Sequence, residues 1–313
     1  MRRTIRTIAA VAMAASVIYA GYILVDSARS NKLNDDLSAL HSQVSEETES
    51  MDTTLFQELE PDAEPKQDVE ADVKPVLPKP MEIIAEKAPT ADYDEETGML
   101  KAMAAVYAQN QDTVGWISVP GTKIDYPVVQ TVDNDFYLHN DFNRKESQPG
   151  TIFADHRATV IDCFNHSDVI TLYGHNQYDG SMFGLLDKYH NNLEFYKQNP
   201  VFFFSDLYYE YEYKIVSVFV CKTANSKLYP GETVFDYQNY VNFDDNYTRE
   251  KFVENILSYS EIETTVDIQD DDKFMVLSTC AYDYKNARLV IVGRRVRENE
   301  SSIVDVDNAV SKK

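Results

Sequence analysis

Short runs of β-branched and aromatic residues, separated by turn signals, fill the chain from about residue 113 onward. Pro120-Gly121 and Pro149-Gly150 are two of the turn signals. Eight runs predict strands: Val114–Val119, Asp125–Gln130, Thr151–Ala154, Val169–Tyr173, Val201–Ser205, Tyr208–Cys221, Lys273–Thr279 and Arg288–Val296. Eight short strands with few helices between them predict a mainly β fold, a closed antiparallel or mixed barrel.

Helical spacing of apolar residues interrupts this pattern in three places. Gly98–Gln111 predicts a helix before the barrel, and Ser181–Tyr196 predicts a helical insert within it. Thr248–Ser260 predicts a second insert, just before the strand that leads to Cys280. Its apolar residues share one helical face: Phe252, Val253, Ile256 and Leu257.

An uncharged, mostly apolar run opens the chain. It covers Thr7–Val25, and its 19 residues approach the roughly 20 that a helix needs to cross a bilayer. Arg2, Arg3 and Arg6 precede it, which favours a cytoplasmic N-terminus. Residues 1–29 are therefore predicted to be a cytoplasmic tip and a single-pass signal anchor in the cell membrane. A cleaved signal peptide and a buried soluble helix are the alternatives.

Acidic residues and prolines dominate residues 30–93. From Leu33 to Leu100, 19 Asp and Glu stand against 4 Lys, so most of the net charge of -23 lies in this stretch. Such a segment cannot bury enough apolar surface to order itself, which predicts an extended extracellular spacer. A short helix near Leu33–Val44 is the alternative for its first part. Residues 94–297 then form the folded domain, and residues 298–313 a polar C-terminal tail. A general role in nucleic-acid binding is excluded, because phosphate backbones require clustered Lys and Arg.

Three cysteines are an odd number for a domain predicted to lie outside the membrane, where a disulfide framework uses an even set. Cys163 lies in a polar stretch predicted to be a loop, and Cys221 ends an apolar strand, where it is predicted to be core packing. Cys280 follows a third strand and begins a loop. A residue at a strand end is rigidly held yet open to a cleft, so Cys280 is the candidate nucleophile.

Arg288 and His175 are the predicted partners of Cys280. Arg288 opens the next strand after a short loop, so two antiparallel strands would place it beside Cys280, where it favours the thiolate and holds an oxyanion. His175 directly follows the strand Val169–Tyr173 and can serve in proton transfer. The remaining histidines are predicted to lie in the spacer or on the surface: His41, His139, His156, His166 and His190.

These residues resemble a known family. The run LYGHN around His175, the run VLSTC ending at Cys280 and the arginine at the head of the next strand resemble the sortases, cysteine transpeptidases of Gram-positive cell surfaces. Val276 departs from the usual TLxTC pattern. The segment VGWISVPGTKIDYPVVQTVDNDFYLHNDFNRKESQPGTIFADHR is similar to the opening of class B sortases. The resemblance covers about Leu100–Val296. It implies a closed sortase-type eight-stranded β-barrel with an N-terminal helix and a helix inserted before the catalytic strand.

The resemblance also implies a role for each matching residue. Cys280 attacks the carbonyl of a C-terminal sorting signal on a secreted protein, His175 acts as general acid and then base, and Arg288 binds the oxyanion. The acyl group then passes to an amine of a cell-wall peptidoglycan precursor or to a pilin lysine. The resemblance implies a substrate groove formed by Asn134, Leu138, Tyr173 and Ser278. Asp283 would orient His175 or serve only as a solvated loop acid.

Two other classes of function stay open. A papain-like cell-wall cysteine hydrolase carries its cysteine on a helix and before its histidine, whereas here His175 precedes a strand-end Cys280. A non-catalytic surface binding domain is the third reading, and the intact trio argues against it. No cofactor or metal is predicted, since His175 and Cys280 lack the close companions of a zinc site.

Overall fold

The computed structural model describes residues 2–52, 93–161, 165–223, 230 and 234–312, and within the first of these ranges it describes the side chains of residues 16–44. Cys163 and most of the predicted spacer, residues 53–92, therefore lie outside the described residues.

Eight strands form the barrel, and their bounds follow the predicted runs closely. They are β1 (Thr113–Val119), β2 (Ile124–Val129), β3 (Phe153–Ala154), β4 (Val169–Tyr173), β5 (Val201–Ser205), β6 (Glu210–Lys222), β8 (Phe274–Ala281) and β9 (Ala287–Arg295). They close in the order β1-β2-β3-β4-β8-β9-β6-β5. The pairs β2–β3 and β4–β8 are parallel and the others antiparallel, so the barrel is mixed. The predicted closed eight-stranded barrel is confirmed.

Strands β8 and β9 are buried on both faces, which explains why they read as continuous apolar runs rather than as alternating ones. Leu277 and Leu289 belong to the cluster inside the barrel. Val276 and Val290 belong to a second cluster on the outer face, where helix α4 (Arg249–Tyr259) packs. Helix α4 is the last α-helix in the described part of the chain. It is the insert predicted before the catalytic strand, although Leu257 is 42% exposed, so its buried face is narrower than predicted.

The insert predicted at Ser181–Tyr196 is two elements rather than one. A 3₁₀ helix covers Gly184–Tyr189, and helix α3 covers Leu193–Gln198. Asn191 between them has a left-handed φ of 52°, a conformation that ends a helix. The side chain of Asn192 then caps the new helix by accepting a hydrogen bond from the backbone N–H of Phe195. The helix before the barrel, α2, spans Lys101–Tyr107.

The N-terminal helix α1 (Arg2–Asp52) runs through the first part of the predicted spacer. Its side chains at helical intervals pack on the barrel: Leu37 is 2% exposed, and the ring of His41 stacks on Trp116 with centroids 4.2 Å apart. The composition of this segment does not predict a buried helical face, because two of the residues on that face, Ser30 and Asn34, are polar although buried. Among the described residues, no helix combines the length and the hydropathy of a membrane span. The side chains of residues 2–15, which carry about half of the predicted anchor, lie outside the described part.

Parts of the predicted polar C-terminal tail contact the domain. Strand β10 (Val310–Ser311) pairs with β7 (Ile262–Glu263) in a separate two-stranded sheet. Glu300 contacts the fully buried guanidinium of Arg294 with one carboxylate oxygen 2.7 Å from Nη2. A buried guanidinium requires carboxylate partners, and Glu300 supplies one of those of Arg294.

Candidate active site

The end of β4 and the end of β8 lie side by side. The two strands are parallel, and Tyr173 is paired with Ser278 at the last position of the ladder. His175 and Cys280 each follow that pair by two residues. Parallel strands leave a sheet at the same edge, so His175 and Cys280 emerge level with each other.

Arg288 lies on the other side of Cys280. In the antiparallel ladder between β8 and β9, these two residues are direct Cα partners, so their side chains share one face. Both are partly exposed, while the next residues along each strand toward the core are buried. The row His175, Cys280 and Arg288 therefore follows from strand order and register, and the predicted juxtaposition of Cys280 with Arg288 is confirmed.

Hydrogen bonds on both sides of His175 hold its segment against the end of β8. The hydroxyl of Thr279 donates to the carbonyl of Gly174 at 2.8 Å. The side-chain amide of Asn176 donates to the carbonyl of Cys280, also at 2.8 Å. A Cβ atom at Gly174 would lie 2.4 Å from Ile152 Cδ1. Close packing against Ile152 and Phe183 therefore favours glycine beside the histidine.

The imidazole of His175 is held by a backbone carbonyl. Its Nε2 atom lies 2.9 Å from the carbonyl oxygen of Leu138. A carbonyl oxygen only accepts hydrogen bonds, so Nε2 carries a hydrogen in this arrangement and Nδ1 is the basic nitrogen of the neutral ring. Leu138, predicted to line the substrate groove, thus also fixes the orientation of the histidine.

Asp155 is a residue that the sequence analysis missed. Its buried carboxylate accepts hydrogen bonds from Tyr173 Oη at 3.0 Å, from Asn134 Nδ2 at 3.1 Å and from Arg157 Nη2 at 2.8 Å. Burial alone would raise the pKa of Asp155, but the hydrogen bonds from Arg157 outweigh it and leave the pKa lowered. Arg157 also donates to the carbonyl of Gln238. Asp155 therefore holds together two predicted groove residues from separate segments.

Ser278, the remaining residue predicted to line the substrate groove, is buried. Its hydroxyl lies 2.6 Å from the hydroxyl of Tyr237, which is itself fully buried. Burial raises the pKa of Tyr237 above its ordinary value, so the phenol stays protonated. Ser278 thus supports the floor of the site through a buried hydrogen bond.

Asp283 contacts a histidine other than His175. Its Oδ1 atom lies 2.9 Å from Nε2 of His190, and the Nδ1 atom of His190 lies 3.0 Å from Glu261 Oε1. The hydrogen bond with Glu261 is the main reason that the pKa of His190 is raised, and Asp283 adds to it. The loop after Cys280 is therefore linked through His190 to Glu261.

The other cysteine and histidine predictions have mixed outcomes. Cys221 is fully buried and free, and burial raises its pKa to about 12, which confirms it as core. The surface location predicted for His166 is wrong: it is 4% exposed, with Nε2 3.1 Å from the buried Asp206. Within the described ranges, no cluster of three or more His, Cys, Asp or Glu could hold a metal ion.

The family model described as the sortase domain matches residues 117–296, more than half of the chain and all of the row described above. The chain belongs to the sortase family. A curated sortase B of Listeria monocytogenes is 34% identical over 189 residues, which are 60% of this chain and 71% of the relative. Family membership makes this sortase a cysteine transpeptidase with a role at the cell wall.

Solved structures place the protein beside class B members of the family. The structure of Clostridium perfringens sortase B matches with a TM-score of 0.53 and 31% identity, and covers 61% of this chain and 98% of its own. A Staphylococcus aureus sortase B–substrate complex matches with a TM-score of 0.55 and 25% identity, covering 69% and 91%. The class B resemblance inferred from the sequence is confirmed.

Proposed function

We propose that this sortase joins secreted proteins to an amine at the cell surface through a thioester on Cys280. The observation that carries the proposal is the position of Cys280, which is paired with Arg288 on one side and level with His175 on the other. A nucleophile, a proton-transfer group and a fixed positive charge are what acyl transfer to a thiol requires. The donor is a protein that bears a C-terminal sorting signal.

In the first half-reaction, the Cys280 thiolate attacks the carbonyl carbon of the scissile amide. Arg288 stabilises the negative charge that develops on the carbonyl oxygen. Collapse of the tetrahedral intermediate breaks the C–N bond, and the protonated His175 gives its proton to the departing amine. The product is a thioester between Cys280 and the new C-terminus of the substrate, with His175 neutral.

In the second half-reaction, an amine attacks the thioester carbonyl. Neutral His175 removes a proton from the attacking amine, a new amide forms, and Cys280 leaves as the thiolate. The acceptor is the amine of a peptidoglycan precursor or the side chain of a pilin lysine. One amide bond is broken and another is formed, so the overall reaction requires no external energy source.

The sorting signal is proposed to lie in a groove beside the row, lined by Asn134, Leu138 and Tyr173, with Ser278 supporting its floor. The network around Asp155 supports this assignment, because it fixes Asn134 and Tyr173 relative to the end of β4. A side chain held by a buried carboxylate loses little entropy on binding a substrate.

We further propose that α1 anchors the enzyme, with its N-terminus in the cytoplasm and the catalytic domain outside. Apolar side chains on its described part project into solvent, including Ile18 at 73% exposed and Leu24 at 71%. Exposed apolar surface of this kind is favourable only when lipid or a partner covers it. Burial against the domain begins at Asp26, directly after the apolar run.

The test uses the full-length chain in detergent with quenched peptides that carry different sorting signals, with and without an added oligoglycine or lysine amine. Cys280→Ala removes the proposed nucleophile, and Cys221→Ala is the matched control because that thiol is buried. We expect an amine-linked product that requires Cys280 and persists in Cys221→Ala. Hydrolysis of cell-wall peptides alone would favour a hydrolase, and binding of the peptides without turnover would favour a binding domain.

A further inference from the structure

Helix α1 contacts the segment that follows His175. Asp179 lies four residues after His175 and accepts hydrogen bonds from two side chains of α1, Ser27 Oγ at 2.7 Å and Asn31 Nδ2 at 3.0 Å. The same carboxylate accepts from the backbone N–H of Ser181 at 3.0 Å. Two residues further on, the N–H of Phe183 donates to the carbonyl of His175 at 3.0 Å.

The same turn of α1 also contacts the loop that follows Leu138. The buried carboxylate of Asp26 accepts from the backbone N–H of Gln148 at 2.7 Å. Arg29 forms an ion pair of 2.5 Å with Asp141, whose side chain is 3% exposed. The backbone N–H of Ser147 donates to the carbonyl of His139 at 2.9 Å, which links this loop to the residue after Leu138.

The two loops meet at His175, since the Leu138 carbonyl holds its Nε2 atom. One turn of α1 thus contacts both the segment that carries the histidine and the loop that orients it. The apolar contacts of α1 begin just after Asn31: Leu33 and Leu37 pack on the cluster that includes α2, and His41 stacks on Trp116. The residues of α1 that make its apolar contacts therefore differ from those that contact the two loops near His175.

From this separation we infer that α1 positions the catalytic histidine. Ser27 and Asn31 act through Asp179, and Asp26 and Arg29 act through the Leu138 loop, to set the distance and orientation of His175 relative to Cys280. They are positioning residues, because they touch neither the reacting thiol nor the imidazole. The inference rests on the proposed role of His175, and it gives residues 26–31 of the helix that carries the proposed anchor a positioning role in catalysis.

The double variant Ser27→Ala/Asn31→Ala tests the inference in the full-length protein. The matched control is Ser38→Ala, which removes a hydrogen bond from the same helix to Asp125 on β2, away from His175. Ser27→Thr keeps the hydroxyl and serves as the conservative variant. Hydrogen–deuterium exchange of the peptide covering residues 174–183 reports the order of the histidine loop without any substrate. Transpeptidation kinetics and their pH dependence report the chemistry.

We expect faster exchange of that peptide and a loss of about tenfold in kcat in the double variant, with KM nearly unchanged and the pH profile displaced, because misplacing a catalytic group slows the chemical steps. Ser38→Ala and Ser27→Thr should match wild type. Unchanged exchange and kcat in the double variant would overturn the inference, as would an equal loss in Ser38→Ala. If wild type forms no amine-linked product, the proposed function fails, and the exchange experiment still decides the contact with the histidine loop.

Discussion

Cys280 on β8 lies directly opposite Arg288 on β9. Strand β9 also pairs with β6, where Arg288 lies opposite Cys221. One arginine therefore lies between two thiols in a single row across the sheet. At Cys221 burial raises the thiol pKa by more than the nearby arginine lowers it. The two cysteines differ in burial: Cys221 is fully buried and Cys280 is partly exposed. Solvent access, rather than proximity to positive charge, therefore selects which thiol can react.

The first prediction concerns the reactivity of these thiols. Iodoacetamide should modify Cys280 in the folded protein and leave Cys221 unmodified, because the pKa of Cys221 is raised to about 12 by burial and only the thiolate reacts. Mass spectrometry of proteolytic peptides after timed alkylation measures each site separately. In urea, both should react at similar rates. Native-state modification of Cys221 at a rate close to that of Cys280 would contradict the prediction.

The second prediction concerns Arg288. Arg288→Ala should lower kcat by about 100-fold to 1,000-fold, the effect of removing an oxyanion donor. Arg288→Lys should recover only part of this loss, because an ammonium group lacks the planar fork of the guanidinium. Thermal unfolding should change little, since the side chain is partly exposed and its hydrogen bond at 3.1 Å goes to the adjacent Ala287 carbonyl. Full activity of Arg288→Ala would remove Arg288 from the mechanism.

The strand pattern and the row of Cys280 and Arg288 were predictable because they depend on local sequence. Strands buried on both faces read as continuous apolar runs, and a short loop between two strands fixes which residues oppose each other. The position of His175 beside Cys280 was harder to predict from the sequence. It depends on the parallel pairing of β4 with β8, which are about a hundred residues apart in the chain. Strand order is a long-range property that periodicity does not encode.

The contacts that the sequence did not predict join distant segments through polar side chains. Asp155 is a loop acid by composition, and its importance follows only when Asn134 and Tyr173 converge on it. The docked part of α1 was assigned to a spacer because acidic composition was averaged over the whole stretch. Glu300 was assigned to a tail because nothing in its neighbourhood reveals the buried guanidinium of Arg294.

The third prediction concerns Asp155, whose side chain is 2% exposed. Asp155→Asn keeps the shape of the side chain but removes the negative charge paired with Arg157. The buried hydrogen-bond network around this side chain is then only partly satisfied. We expect a loss of about 1–3 kcal/mol in the free energy of unfolding and a several-fold rise in KM for the sorting peptide. Urea unfolding and steady-state kinetics measure the two effects.

Tyr173→Phe is the matched control for Asp155, because it removes only one hydrogen bond of the same network. It should have a smaller effect on stability than Asp155→Asn and should raise KM in the same direction. A change in kcat alone in Asp155→Asn, with KM and stability unchanged, would argue against a role in holding the groove.

The last prediction concerns the histidine that links the loop after Cys280 to Glu261. The pKa of His190 is raised in the folded protein, first by its hydrogen bond with Glu261 and further by Asp283, so the folded state binds its proton more tightly than the unfolded state. The stability that this proton contributes is present below the ordinary histidine pKa of about 6.5 and is lost as the pH rises through the folded pKa.

His190→Gln should therefore destabilise the protein more at about pH 5.5 than at about pH 9, two values that bracket the titration of histidine. Urea unfolding of both proteins at each pH gives the difference in the free energy of unfolding. His139→Gln is the control, because His139 is 62% exposed and lies 3.8 Å from its nearest carboxylate. A destabilisation by His190→Gln that grew with pH would reverse the sign and exclude the bridge, because a protonated His190 would then oppose folding.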